Sequence, residues 1–254
     1  MRPEVHTLIP LFIALPLTVA VLIQLLARRR AALAGALAVL TLLALMLMSL
    51  ATIGQTTGGE VIYNMGGWKT PIGIDLRMDS LTTLLVVTIN TIGLAVMLYA
   101  LDYMRQFTAR PRFYSLFLLM ITGMNGVVMT GDLFNLYVFL EISAIASYSL
   151  VAFGCEQEEL EASFKYIVLG SVSSALILIA LALMYGVTGA LNMAQVSGRV
   201  AAEGMDAPLL LAFGLFVCGF AFKAALVPFH AWLPDAHPAA PAPVSAMLSG
   251  VLIK

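Results

Sequence analysis

Charge is what this chain of 254 residues has least of: Asp, Glu, Lys and Arg make up 11% of it, against about 25% in soluble domains. So little charge excludes a fold that faces water on every side, and 61% hydrophobic residues with a mean hydropathy of +0.98 point to a membrane protein. Cysteine is almost missing. Cys155 and Cys218 stand far apart, forming neither a disulfide framework nor a C-x-x-C pair, so no iron–sulfur or zinc site, and no cofactor of the chain's own, is expected. No G-x-G-x-x-G follows a strand pattern and no G-x-x-x-x-G-K-[ST] occurs, which leaves no nucleotide site. Internal repeats and low-complexity tails are also missing. With a net charge of −1, no nucleic acid partner is expected.

What the sequence does have is a series of apolar runs of about 20 residues, each long enough to cross a ~30 Å hydrocarbon layer as a helix. They cover 7–27, 31–52, 80–101, 113–130, 133–153, 163–186 and 208–236, and a further run starts at 243 and is cut short by the C-terminus. The expected fold is an all-α polytopic membrane protein of about eight transmembrane helices, the seventh broken and the eighth truncated. No A-x-A-like cleavage site follows the first run, which reads as a retained helix. The longest connection, 53–79, holds glycines together with Tyr63 and Trp68, which suit the headgroup level, and reads as an ordered external flap. Residues 1–112 then form one region, helices 1–3 with this flap, and 113–254 a second region, helices 4–8.

Lys and Arg accumulate in cytoplasmic connections. Alternate crossing gives one side Arg28, Arg29, Arg30, Arg105, Arg110, Arg112 and Lys165, and the other only Arg2, Lys69, Arg77 and Arg199. This bias puts the N-terminus outside a cell (inner, cytoplasmic) membrane.

Three ionisable residues fall inside the apolar runs. Such a group at the bilayer centre costs about 2.5–3.5 kcal/mol on insertion scales and persists where it faces protein or water and has a partner. Glu141 lies roughly 12 Å into the helix that starts at Leu133, and Lys254 roughly 16 Å beyond Pro243, at 1.5 Å per residue. Lys223 precedes Pro228, which removes a helix hydrogen bond and crowds the preceding turn, so the seventh helix is expected to break there. If PFHAWLPDAH completes the crossing, Lys223 sits near the midplane and all three charges share one depth. Carbonyls freed by a break are tolerated at that depth only where they line a cavity or are buried in protein, and they suit a cation. Burial loosens a lysine's hold on its proton and a nearby carboxylate tightens it. Glu141, near or far, would therefore switch Lys223 between holding and releasing a proton. His230, seven residues on, supplies an imidazole suited to relay.

Simpler readings stand beside this one. Glu141 and Lys223 also fit a static ion pair that fixes helix packing. Taken alone, His230 and Trp232 read as interfacial anchors, and Asp235 and His237 as loop residues in water. Lys165 pairs with Glu161 at a helix start. Asp132 caps the next helix, with Gly131 making the turn, and GSVSSA at 170–175 is a packing face.

Three segments carry a resemblance: TGDLFNLYVFLEISAIASYSLVAFG, ASFKYIVLGSVSSALILIALALMYGVTGALNMA and FKAALVPFHAWLPDAHPAAPAPVSAMLSGVLIK. Over roughly 113–254 the chain resembles the proton-pumping antiporter-like subunits of respiratory complex I, membrane-bound hydrogenases and multi-subunit Na+/H+ antiporters, with HAWLPDAH the most specific part. The resemblance implies that Glu141 and Lys223 are the fifth-helix glutamate and broken-seventh-helix lysine that gate proton uptake. It likewise implies that Lys254 is the eighth-helix lysine that passes the proton on, and that His230 belongs to the HxWLPDA motif. Members carry two inverted repeats joined by a polar axis. This sequence stops within the first, so the resemblance implies a fragment, or half of a split subunit, that needs a second antiporter-like repeat in cis or in trans. Other membrane and peripheral subunits are the further expected partners. The function implied is a proton-translocating subunit of a respiratory-type oxidoreductase complex, with no redox site in this chain. The large subunit of an antiporter that exchanges Na+ for H+ is the alternative, and a non-transporting membrane scaffold the reading of another class.

Overall fold

The computed structural model of the chain describes residues 5–56 and 59–253. Arg2 and Lys254 lie outside the described residues. In chain order the helices are α1 (Val5–Leu8), α2 (Leu11–Leu26), α3 (Ala31–Thr52), α4 (Ser80–Tyr103), α5 (Arg110–Met129), α6 (Leu133–Val151) and α7 (Gln157–Thr188). They continue as α8 (Met193–Glu203), α9 (Ala207–Lys223), α10 (Leu233–Ala239) and α11 (Ala242–Met247), the last running into a π turn at Leu248–Leu252. Six stretches are long and apolar enough to cross a membrane: Val5–Leu26, Ala31–Thr52, Ser80–Gln106, Arg110–Met129, Leu133–Val151 and Gln157–Thr188. Ala207–Lys223 and Ala242–Leu252 are shorter apolar helices. The chain is an all-α polytopic membrane protein.

α5 is the central helix. Of its most apolar window 72% is buried, against 33% for the first two crossings and for α7, so α5 faces protein while the others keep an apolar face for lipid. Close approach of α6 to α5 depends on missing side chains. A Cβ at Gly126 would lie 2.3 Å from the Phe139 ring and one at Gly123 2.6 Å from the Ser143 nitrogen. In lipid, where apolar side chains gain little by leaving the solvent, such small-residue contacts and interhelical hydrogen bonds hold helices together. The hydrogen bonds are also present around α5. Buried Asn90 of α4 and Asn125 of α5 exchange amide hydrogen bonds at 3.2 Å, and Asn125 Nδ2 also donates to the Phe12 carbonyl of α2 at 3.2 Å. Ser115 donates to the Ala20 carbonyl at 2.6 Å, tying α5 to α2 a second time.

Four helix starts are capped by a side chain one residue before the first turn, satisfying N–H groups that lack an intrahelical partner. Asp79 accepts from Thr82 at 2.7 Å, Asp132 from Asn135 at 2.8 Å and Asp206 from Leu209 at 3.0 Å. Asn192 accepts from Ala194 at 3.2 Å. Asp132 thus caps α6 as its position before the apolar run indicated.

The 53–79 connection differs from a plain loop: β1 (Val61–Asn64) pairs antiparallel with β2 (Asp75–Met78), Val61 opposite Met78. Asp75, 1% exposed, pairs with Arg77 at 2.8 Å and accepts from Asn192 Nδ2 at 2.8 Å. Single bridges join Leu76 to Thr130 and Asp132 to Asn192. The hairpin, the α5–α6 turn and the start of α8 are therefore lashed at one end of the bundle. Gly131 has no turn conformation to supply there. Its requirement is space, since a Cβ would lie 2.5 Å from Arg77 Nε and 2.6 Å from Asp75 Oδ1.

Candidate functional site: an ion pair at a helix break

The site is built where α6, α7 and α9 meet. Ser173 of α7 donates to the Gly219 carbonyl of α9 at 2.7 Å, and a Cβ at Gly219 would lie 2.6 Å from Ile177. That close contact sets the spacing of the two helices. On the other side Gly170 of α7 lies against the Tyr148 hydroxyl of α6, with no room for a Cβ. The GSVSSA segment is thus a packing face, and one of its residues, Ser174, points into the site.

Glu141 lies midway along α6 and Ser174 near the middle of α7. Lys223 is the last residue of α9. Its Nζ donates to Glu141 Oε1 at 3.0 Å and to Ser174 Oγ at 3.1 Å. Ser174 Oγ closes the triangle with a hydrogen bond to Glu141 Oε1, and its alternative acceptor is the Gly170 carbonyl at 2.9 Å. Both charged side chains are largely enclosed, 17% exposed for Lys223 and 26% for Glu141. Two of the three intramembrane charges that the sequence singled out on separate helices, Glu141 and Lys223, are one ion pair.

The break lies elsewhere than expected. Helix geometry ends at Lys223, five residues before Pro228, and the second half begins only at Leu233. What stops α9 is a Schellman turn: Ala225 takes φ +50°, its N–H bonds to the Phe222 carbonyl and that of Leu226 to the Ala221 carbonyl. PFHAW is therefore a link, and Pro228 lies inside it. Of the carbonyls expected to hang free, those of Phe220, Ala221 and Phe222 are taken up. Trp232 Nε1 also donates to the Phe222 carbonyl at 2.9 Å. What remains for a cation at this end is the negative pole of the helix dipole, which favours positive charge within the last turn.

Trp232 is no interfacial anchor. It is 1% exposed and stacks on Tyr166 of α7, centroids 4.1 Å apart and planes 5° from parallel, while Tyr166 bonds to Ser147 of α6 at 3.2 Å. His230 is exposed, and among the described residues its imidazole has no hydrogen-bond partner. The structure does not bring it to the Glu141–Lys223 pair. Asp235 and His237 are helical and partnered, not loop residues in water. Asp235 binds Lys165 at 2.8 Å, which also pairs with Glu161 at 2.9 Å, and His237 Nδ1 bonds to Ser245 of α11 at 2.8 Å. The triplet Glu161–Lys165–Asp235 lines a cavity of about 300 Å³ between the start of α7 and α10. Among the described residues no three His, Cys, Asp or Glu side chains gather as metal ligands would.

The family profile described as NADH:quinone oxidoreductase/Mrp antiporter, TM, matches residues 130–254, and that described as NADH-Ubiquinone oxidoreductase (complex I), chain 5 N-terminus, matches 65–114. NADH-quinone oxidoreductase subunit N of Desulforudis audaxviator is 39% identical over 99% of this chain and 50% of its own length. An Na(+)/H(+) antiporter subunit of Bacillus subtilis is 39% identical over 78% of this chain and 40% of its own. A chain of the membrane-bound sulfane sulfur reductase, an archaeal respiratory membrane complex, superposes with a TM-score of 0.92 at 36% identity, over 97% of this chain and 51% of that one. A chain of the Mrp complex from Dietzia sp. DQ12-45-1b gives 0.87 at 30% identity, over 98% and 46%. The chain spans about half the length of the curated relatives it matches, or less. Through both profiles and these relatives, the chain belongs to the NADH:quinone oxidoreductase/Mrp antiporter transmembrane family.

Proposed function

We propose that the chain is a proton-translocating membrane subunit of a respiratory-type oxidoreductase complex. The observation that carries this reading is the Glu141–Lys223 pair, enclosed among three helices at the end of a broken one. Lys223 is held as a cation by Glu141 and by the end of the α9 dipole. When Glu141 takes a proton or swings away, only the dipole and the neutral Ser174 hydroxyl are left, and burial favours release. Protonation of one carboxylate thereby moves a proton off its neighbour. Lys254 is the next acceptor on this reading, and His230 a relay that reaches the pair only if the link 224–232 moves. Redox chemistry belongs to partner subunits, and this chain holds no cofactor.

Other membrane and peripheral subunits, with a second antiporter-like repeat, complete the route. The membrane is the cell membrane, with the N-terminus outside and the Lys165–Asp235 end cytoplasmic, because the seven cationic residues of the richer side gather there. A second reading, Na+/H+ exchange, is supported by the equal identity to the Bacillus subtilis antiporter protein. In both readings the pair moves a proton. The test is transport by the assembled complex with Glu141→Gln: proton movement is abolished while subunit content stays intact. Full transport in that variant would reduce the pair to a packing device and favour the scaffold.

A further inference from the structure

Three side chains meet at the site, and one of them is neither acid nor base. Ser174 is 6% exposed, with its Oγ within hydrogen-bond distance of Glu141, Lys223 and the Gly170 carbonyl. A hydroxyl has one proton to give and two lone pairs to accept with, whereas an ammonium only donates and a carboxylate only accepts. In the ion-paired state the assignment is forced. Lys223 donates to Ser174 Oγ, and the single hydroxyl proton goes to Glu141 or to Gly170.

That choice is what distinguishes Ser174 from a packing residue. With Glu141 ionised, the hydroxyl proton turned to Oε1 gives the carboxylate a second donor beside Lys223. With Glu141 protonated, the same proton turns to the Gly170 carbonyl one helical turn back, and no buried donor is stranded. With Lys223 neutral, its nitrogen lone pair accepts the hydroxyl proton, so the direction of that bond reverses. Each protonation state of the pair is satisfied by rotation about one C–O bond, without moving a helix. An alanine in this place would leave a buried charged group short of one partner, and such losses outweigh the mean value of a hydrogen bond.

The position is fixed from both sides. Ser173 anchors α7 to Gly219 of α9, and Gly170 seats α7 on Tyr148 of α6. The charged groups that bond the hydroxyl are Glu141 of α6 and Lys223 of α9, and Tyr137 and Tyr148 of α6 lie close enough to Glu141 to feel its charge. Lys165, Asp235 and His237 are engaged with one another or with Ser245 toward the start of α7 and at α10, and Arg199 of α8 binds the Thr188 carbonyl at the far end.

We propose that Ser174 is a positioning residue of the proton switch, whose hydroxyl turns between Glu141, Gly170 and Lys223 as the proton moves. The proposal rests on the proton-transfer reading of the pair, and two separate readouts keep the two apart. The first is the antisymmetric stretch of the Glu141 carboxylate, isolated by infrared difference against Glu141→Gln in the assembled complex. The second is the rate of proton transport by the same preparation as a function of pH. Ser174→Ala is expected to shift the carboxylate band to that of a group with one donor fewer. It should also lower transport about tenfold or more, the effect of removing one hydrogen bond to a charged group, and displace its pH profile. Ser174→Thr, which keeps the hydroxyl, restores the wild-type band and profile. Ser174→Cys, a weak donor of similar volume, shifts the band in the same direction as alanine and serves where the alanine variant does not assemble. A wild-type carboxylate band in the alanine or cysteine variant overturns the proposal, as does an equal shift with threonine. Failure of the transport reading itself shows separately, as full transport in Glu141→Gln.

Discussion

Lys223 is held by three things at once: the Glu141 carboxylate at 3.0 Å, the Ser174 hydroxyl at 3.1 Å and the C-terminal pole of α9. Removing one partner of an enclosed pair leaves the other charge uncompensated, which costs about 3–5 kcal/mol in buried cases. The pair was legible in sequence because charge is so expensive inside an apolar run that Glu141 and Lys223 stand out, with Lys254 the third such residue. Ser174 was not legible. A serine between small residues reads as packing, and Ser173 beside it does pack. Trp232 was misread for a related reason, since an indole near a helix end fits the headgroup layer as well as it fits a stack on Tyr166. At this scale Ala225 invites a test. It is a non-glycine residue at φ +50°, and the left-handed region costs such residues about 1–2 kcal/mol. Ala225→Gly should therefore stabilise the Schellman turn, by about 0.5–1 kcal/mol after the glycine's greater unfolded-state entropy is counted, raising the midpoint of detergent or thermal unfolding. An unchanged or lowered midpoint would mean that the turn is not under strain.

At the scale of elements, the crossings were readable because hydrocarbon thickness sets their length. The place of the break was not. Proline is the strongest breaker in the sequence, yet α9 ends at Lys223 through a turn made by Ala225, which carries no glycine signature. The hairpin was missed because each strand has only four residues, too few to show alternation, and α8 because a short polar helix resembles a loop. The caps offer a test with a sign in pH. The Thr82 N–H donating to Asp79 at 2.7 Å holds that carboxyl below its ordinary range. A depressed folded value means that the cap contributes fully above about pH 4, the unfolded value, and is lost as pH falls through the lower folded one. Asp79→Ala should lower stability by about 1 kcal/mol near neutral pH, with the difference from wild type vanishing in acid. A difference that persists below the folded value would assign the effect to something other than the ionised cap.

For the whole molecule, α5 forms the centre, the hairpin with the α5–α6 and α7–α8 turns locks one end, and the Lys165–Asp235 contact ties the other. The first end carries Arg77 and the second Lys165, the residues that the charge count assigned to opposite faces of the membrane. Orientation is testable directly. A cysteine placed at Arg29 should react with a membrane-impermeant maleimide only after the cells are opened, and labelling in intact cells would invert the topology. Fold and pair together make one claim, that a lysine at a broken helix end gives and takes a proton under the control of a neighbouring carboxylate. The measurement that tests it most directly is proton transport by the assembled complex carrying Lys223→Arg. Arginine keeps the positive charge and reaches Glu141, but its guanidinium stays protonated in proteins. The account predicts a complex that assembles and does not transport. Transport at the wild-type rate would show that a fixed charge is enough, and would contradict it.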